Sequence, residues 1–176
     1  MKVLVTGYSG FLGRHLARVL KREGFQVRVI LHRRTVTKRE FHQEADEVLW
    51  GSLADPVIVR KAVSSVDAVV HAAWTFSAAS ERPSVNEKST QLLLKASVDT
   101  EVKAFVFISS VAVYGMKVLD DSRVTEASPL TGGDELLFLY PSEKITCEKI
   151  LLATDRKELR LGIFRPGPIF EDEKGR

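Results

Sequence analysis

The chain has 176 residues, 44% of them apolar and 28% charged, a balance that supports a folded core and excludes a disordered chain. Lys and Arg number 26 against 23 Asp and Glu, and the cations are spread along the sequence, which weighs against a nucleic-acid partner. No apolar run reaches the ~18 residues of a membrane span, Lys2 leads into Val3 without a signal-peptide layout, and the one cysteine, Cys147, can close no internal disulfide, so a cytoplasmic, membrane-free protein is expected.

The first element is a short β-branched run, Lys2–Thr6, that reads as a strand buried on both faces. Directly after it stands Gly7-Tyr8-Ser9-Gly10-Phe11-Leu12-Gly13, within which a helix over 12–23 opens, with Gly24 as its stop. Glycines so placed permit a tight turn, close approach of backbone to a pyrophosphate and close packing of helix on strand. The free amides of the helix start attract the anion. The strand-to-helix context points to dinucleotide binding, the alternative being a purely structural turn.

The second strand, Gln26–Leu31, runs into His32-Arg33-Arg34, where many dinucleotide domains carry an acid for the ribose 2′-hydroxyl. Cations there suit a 2′-phosphate and favour NADP over NAD, unless these residues, with Lys38 and Arg39, form a solvated loop. A third strand, Glu47–Trp50, precedes a helix over 56–64 with Asp55 as N-cap and Pro56 in its first turn. Then come a strand at Ala68–His71, a helix over 84–98 and a strand over 103–109. A long irregular stretch over 116–139, of a length more often functional than incidental, leads to a helix from near Tyr140 to Ala153 and a last strand, Arg160–Phe164. Apolar strands alternating with helices imply a doubly wound parallel sheet with helices on both faces.

Three groups carry possible chemistry. Tyr140 and Lys144 lie four residues apart, so in a helix phenol and ammonium share a face, and the ammonium favours the phenolate. Pro141 lacks the amide proton of a helix interior, which sets Tyr140 at or near the start of its helix. Ser109-Ser110 closes the fifth strand, at the sheet edge where ligands bind in this architecture. The four histidines show no metal spacing, so no metal site is expected, and Cys147, between Ile145 and Ile150, reads as apolar filler.

Gly7-x-x-Gly10-x-x-Gly13, Ser110 five residues before Gly115, and Tyr140-x-x-x-Lys144 together resemble the extended short-chain dehydrogenase/reductase family, also called NAD-dependent epimerase/dehydratases. His71-Ala72-Ala73, Val85-Asn86, Thr125-Glu126 and Arg165-Pro166-Gly167 extend the resemblance over nearly the whole chain. It implies one Rossmann-like NAD(P)-binding domain over 1–176, expected to be a piece of a longer chain whose remaining part closes over substrate. Tyr140 would exchange a proton with the substrate oxygen, Ser110 would polarise that oxygen, and Lys144 would assist Tyr140 and hold the nicotinamide ribose. Asn86 matches a proton-relay position, though an Asn at a helix start is equally a cap. Gly7, Gly10, Phe11, Leu12 and Gly13 would line the pyrophosphate, and Ala72, Ala73 and Pro166 would also border the cofactor. Ser52 stands where the family has an acid near adenine, leaving Leu53 as a packing contact.

Val111 and Ala112 occupy the positions of the Asp-Glu pair of sugar 4,6-dehydratases, which removes the acid and base that elimination needs. The expected function is hydride transfer at a secondary alcohol or ketone, with a nucleoside diphosphate sugar as substrate. A carbonyl reductase of a non-sugar substrate and a non-catalytic NADP(H) sensor or scaffold are the alternatives. Apolar positions such as Leu93 and Ile150 would permit a homodimer and would equally serve a monomer's core.

Overall fold

The computed structural model describes residues 1–32, 44–76, 83–115, 123–132 and 139–170. Six strands, β1 (Lys2–Thr6), β2 (Gln26–Leu31), β3 (Glu47–Trp50), β4 (Ala68–His71), β5 (Ala104–Ile108) and β6 (Arg160–Phe164), pair in parallel in the order β3-β2-β1-β4-β5-β6. Among the described residues four helices, α1 (Phe11–Arg22), α2 (Pro56–Val63), α3 (Val85–Asp99) and α4 (Leu139–Ala153), accompany them. The chain winds outward from β1 to β3 and then returns to start again at β4, on β1's other side. Val3 pairs with both Val27 and Ala68. The connections leaving β1 and β4 therefore run to opposite sides, and the crevice past the carboxyl ends of these strands is where this architecture takes ligands.

Both faces of the sheet are apolar because both are covered. Val3, Val5, Val27 and Val29 pack with Ala17 of α1 on one side. On the other, Leu4, Val69, Phe105 and Phe107 meet Val59 of α2, Leu93 and Leu94 of α3 and Leu151 of α4. Each such side chain contributes roughly 1.5–3 kcal/mol when fully buried, so this double layer is the main support of the fold.

The helix starts differ in an informative way. Asp55 caps α2 by accepting from Val57 N at 2.8 Å, and Ser84 with Glu87 forms a capping box on α3. The first turn of α1 has neither a side-chain cap nor an acidic residue, and Gly10 supplies only backbone. At the opposite edge of the sheet, Arg28 lies nearly buried in β2. It donates to Glu47 at 2.6 Å and to the carbonyls of Ala62 at 2.9 Å and Ser64 at 2.6 Å, tying β2 and β3 to the end of α2.

Element boundaries agree with the sequence reading to within about a residue. One element was not anticipated, a 3-10 turn at Val111–Tyr114. Four residues carry no readable period, and the turn is fixed instead by Ser110, whose Oγ accepts from Ala112 N at 3.1 Å. Of the long irregular stretch, 116–122 and 133–138 lie outside the described residues.

Candidate active site

The turn after β1 is built around absent side chains. Gly7 has φ +77°, and a Cβ on it would lie 2.6 Å from Ala72 C and Ala73 N. A Cβ on Gly13 would lie 2.2 Å from Gly7 O, so α1 can start this close to β1 only with glycine there. Thr6 Oγ1 accepts from Ala73 N at 3.2 Å, which draws the segment after β4 against the turn. Tyr8 is buried beneath it and donates to Glu44 at 2.8 Å, a carboxylate also held by Arg18. Gly7, Gly10, His32, Leu53, Ala72 and Ala73 border a cleft of about 680 Å³ that continues past Trp74 and Thr75 to Asn86. Phe11, Leu12 and Gly13 form the uncapped first turn of α1, and Arg33 and Arg34 lie outside the described residues.

The second half of the site is carried by α4. Pro141 stands in its first turn, and Tyr140 just before it is half-buried. Lys144 is only 4% exposed. Its Nζ donates to Ile108 O at 2.7 Å and sits 3.7 Å from the centre of the Trp74 ring. Loss of solvent pulls this ammonium down from 10.5 to about 8, against the opposing pull of Cys147, Glu148 and Glu143. Tyr140 meets Trp74 edge-on at 5.6 Å between ring centres and Phe76 face-on at 5.4 Å.

Backbone bonds bring the end of β5 to the same place. Ser109 N donates to Phe164 O at 2.6 Å and Val111 N to Pro166 O at 3.0 Å, which sets Pro166 beside the half-buried Ser110. Ser109 is itself buried, and its Oγ has no hydrogen-bond partner among the described residues. Asn86 is not the cap of α3, since Ser84 takes that place. Its side chain instead accepts from Thr75 N at 3.0 Å and donates to Thr75 O and to Glu143 at 2.9 Å. Asn86 therefore joins the cleft wall to the residue preceding Lys144.

His71 is a structural member of this region. It is hydrogen-bonded to Thr6 Oγ1 at 2.8 Å and to Thr90 Oγ1 at 3.1 Å, and burial, with the nearby Lys144 charge, lowers it to about 3. It stays a neutral imidazole across the physiological range. Cys147 is fully buried and its thiol is pushed up to about 11 by burial, so it fills space as expected and is no nucleophile.

Sequence reasoning missed Glu143, Glu148 and the side chain of Arg165. Two acids flanking Lys144 on one helix were the available signal, but charges on a helix usually face solvent, and these two are 5% and 0% exposed.

The family model of the NAD dependent epimerase/dehydratase family matches residues 3–170. The chain belongs to that family. Among curated relatives of this epimerase/dehydratase chain, a UDP-glucose 4-epimerase of Lactobacillus helveticus is 33% identical over 172 residues, covering 90% of this chain and 48% of that protein. An uncharacterised protein of Sinorhizobium fredii is 32% identical over 166 residues, covering 93% of this chain and 40% of that one. Among solved structures, a short-chain dehydrogenase/reductase superfamily protein of Agrobacterium tumefaciens with bound NAD superposes with a TM-score of 0.76 at 29% identity, over 94% of this chain and 48% of that one. A UDP-glucose 4-epimerase of Bifidobacterium longum with NAD+ and UDP gives 0.76 at 25% identity, over 94% and 52%. The chain thus spans about half the length, or less, of the curated relatives it matches.

Proposed function

We propose that this chain is the dinucleotide-binding and proton-transferring part of an NAD(P)-dependent oxidoreductase or epimerase, acting at a secondary alcohol or ketone of a nucleoside diphosphate sugar. The observation that carries the reading is Lys144. A lysine kept 4% exposed at the end of a parallel sheet, four residues after Tyr140, is costly to bury, and a perturbed cation beside a cleft favours a use in chemistry.

The cradle fits a dinucleotide. Gly7 and Gly13 let the turn pack tightly on Ala72, Ala73 and the start of α1, Gly7 and Gly10 line the cleft, and the uncapped first turn of α1 presents amides to a pyrophosphate. When bound, the nicotinamide supplies or accepts the hydride. The protein supplies the rest. Ser110 Oγ and Tyr140 Oη act on one substrate oxygen, Ser110 polarising it and Tyr140 giving or taking its proton. The Lys144 ammonium stands one helical turn after Tyr140 to support it in that exchange, and Ile108 O orients the ammonium by accepting one of its protons. Asn86, bonded to Glu143 and to the cleft segment at Thr75, links the cleft wall to this pair as the relay member.

Replacing Tyr140 with Phe tests the reading in the full protein. Cofactor affinity is expected to survive while turnover of a nucleotide sugar falls by about 100-fold or more. Unchanged turnover would remove Tyr140 from the mechanism, and cofactor binding without any wild-type turnover would favour a sensor or scaffold. For the cofactor, His32 on the cleft, with Arg33 and Arg34 after it, supports NADP(H), whereas the solved relatives named above hold NAD. Calorimetric titration with NADPH and NADH decides between them, tighter NADH binding overturning the NADP(H) proposal.

A second reading has one observation in its favour. Trp74 and the 82% exposed Phe76 flank Tyr140 with aromatic surface, which would suit an apolar ketone as well as the apolar face of a sugar ring. Higher kcat/KM for a simple aryl ketone than for UDP-glucose would make the chain a carbonyl reductase.

A further inference from the structure

We propose that Arg165 is a positioning residue that holds the Ser110 turn in register with the helix carrying Tyr140 and Lys144; this rests on the reading above. Ser110 and the Tyr140-Lys144 pair come from segments far apart in sequence, and shared work on one oxygen requires that they keep a fixed separation. Arg165 is bonded to residues of both segments. Its two chain neighbours, Phe164 and Pro166, accept through their carbonyls from Ser109 N and Val111 N, so the backbone of the Ser110 segment is fixed on either side of it.

The side chain makes the cross-connection. Arg165 Nε and Nη2 donate to the two carboxylate oxygens of Glu148 at 3.1 and 2.7 Å. Nη1 donates to Tyr114 Oη at 2.7 Å and to Glu126 O at 3.2 Å. Glu148 is 0% exposed and stands one helical turn after Lys144, on the same side of α4. Tyr114, 7% exposed, ends the 3-10 turn that Ser110 caps. One planar guanidinium thus ties both catalytic segments to the end of β6, and a lysine cannot reproduce that two-pronged geometry.

The clamp also controls charge. The groups acting on Lys144 are Cys147, Glu148 and Glu143 from α4, with the neutral His71 of β4 nearby, and Arg165 neutralises one of these, Glu148. Removing the guanidinium leaves a buried anion facing the Lys144 ammonium.

The test uses Arg165→Lys, Arg165→Met and the double variant Arg165→Met with Glu148→Met in the full protein. The readouts are thermal melting, cofactor affinity and the pH profile of UDP-glucose turnover. Arg165→Lys is expected to keep cofactor affinity within about twofold while kcat falls at least tenfold at little change in KM. Arg165→Met is expected to move the alkaline limb of its residual activity to higher pH. Replacing a buried ion pair by apolar side chains restores stability in other folds, so the double variant is expected to melt near the wild type yet stay slow. Recovery of both melting and kcat in the double variant would make the pair merely structural and overturn the proposal, as would an undiminished Arg165→Lys. A wild type that binds cofactor but turns over nothing defeats the parent reading and this one with it. An active wild type with an undiminished Arg165→Lys defeats this one alone.

Discussion

Lys144 is a cost to the fold and, in the function proposed above, a condition of the chemistry. Its folded-state value of about 8 lies below the ordinary 10.5, so between those two values the unfolded chain holds more protons than the folded one. Stability therefore rises with pH over that window, because the burial penalty, fully present below about pH 8, is relieved as the ammonium is lost. Turnover should respond in the opposite sense, declining above about pH 8 as the cation that supports Tyr140 disappears. Lys144→Met should abolish both the alkaline stability gain, measured by denaturant unfolding across the pH range, and most of the turnover. Gly13 carries the other prediction at this scale. Its missing Cβ would stand 2.2 Å from Gly7 O, so Gly13→Ala is expected to destabilise by about 1–3 kcal/mol and to weaken cofactor binding at least tenfold by calorimetry. The spacing of these residues was legible in the sequence. Their surroundings were not, because the aromatic contact of Trp74 with Lys144 and the Asn86–Glu143 bond join positions far apart in the chain.

Among the elements, the readable ones are those whose signals are local. Asp55 before Pro56 announces α2 because a carboxylate can reach Val57 N and proline needs no donor, and the structure has both features. Asp55→Ala should therefore cost about 1 kcal/mol of stability, read from thermal or urea unfolding, and should leave the site untouched. The β-branched strands were legible because burial on both faces leaves no polar alternation to confuse the reading. The 3-10 turn at Val111–Tyr114 was not, since its existence depends on a cap from Ser110 and on Val111 N reaching Pro166 O across the sheet edge. Asn86 illustrates the same limit. At a helix start it reads as a cap or as a relay, and the structure gives the cap to Ser84 while the Asn86 side chain bonds Thr75 and Glu143, partners no local signal names.

Across the whole molecule, the two edges of the parallel sheet do different work. The carboxyl edge carries the cradle, Ser110 and Lys144. The amino edge carries Arg28, whose guanidinium closes off the carbonyls ending α2 and pairs with Glu47. Arg28→Met should lower stability by about 1–3 kcal/mol through those orphaned carbonyls while cofactor affinity stays within twofold, a separation that melting and calorimetry on one sample can check. The two tryptophans, both toward the carboxyl ends of strands, are divided instead by the faces of the sheet. Trp50 packs in the layer beneath α1, and Trp74 packs against the layer beneath α2, α3 and α4, with its ring against Lys144. Indole emission overlaps the absorption of a reduced nicotinamide and is sensitive to an adjacent cation. The contact between Trp74 and Lys144 therefore gives the protein an internal optical gauge of that charge, in which an emission change on passing about pH 8 should disappear in Trp74→Phe and persist in Trp50→Phe.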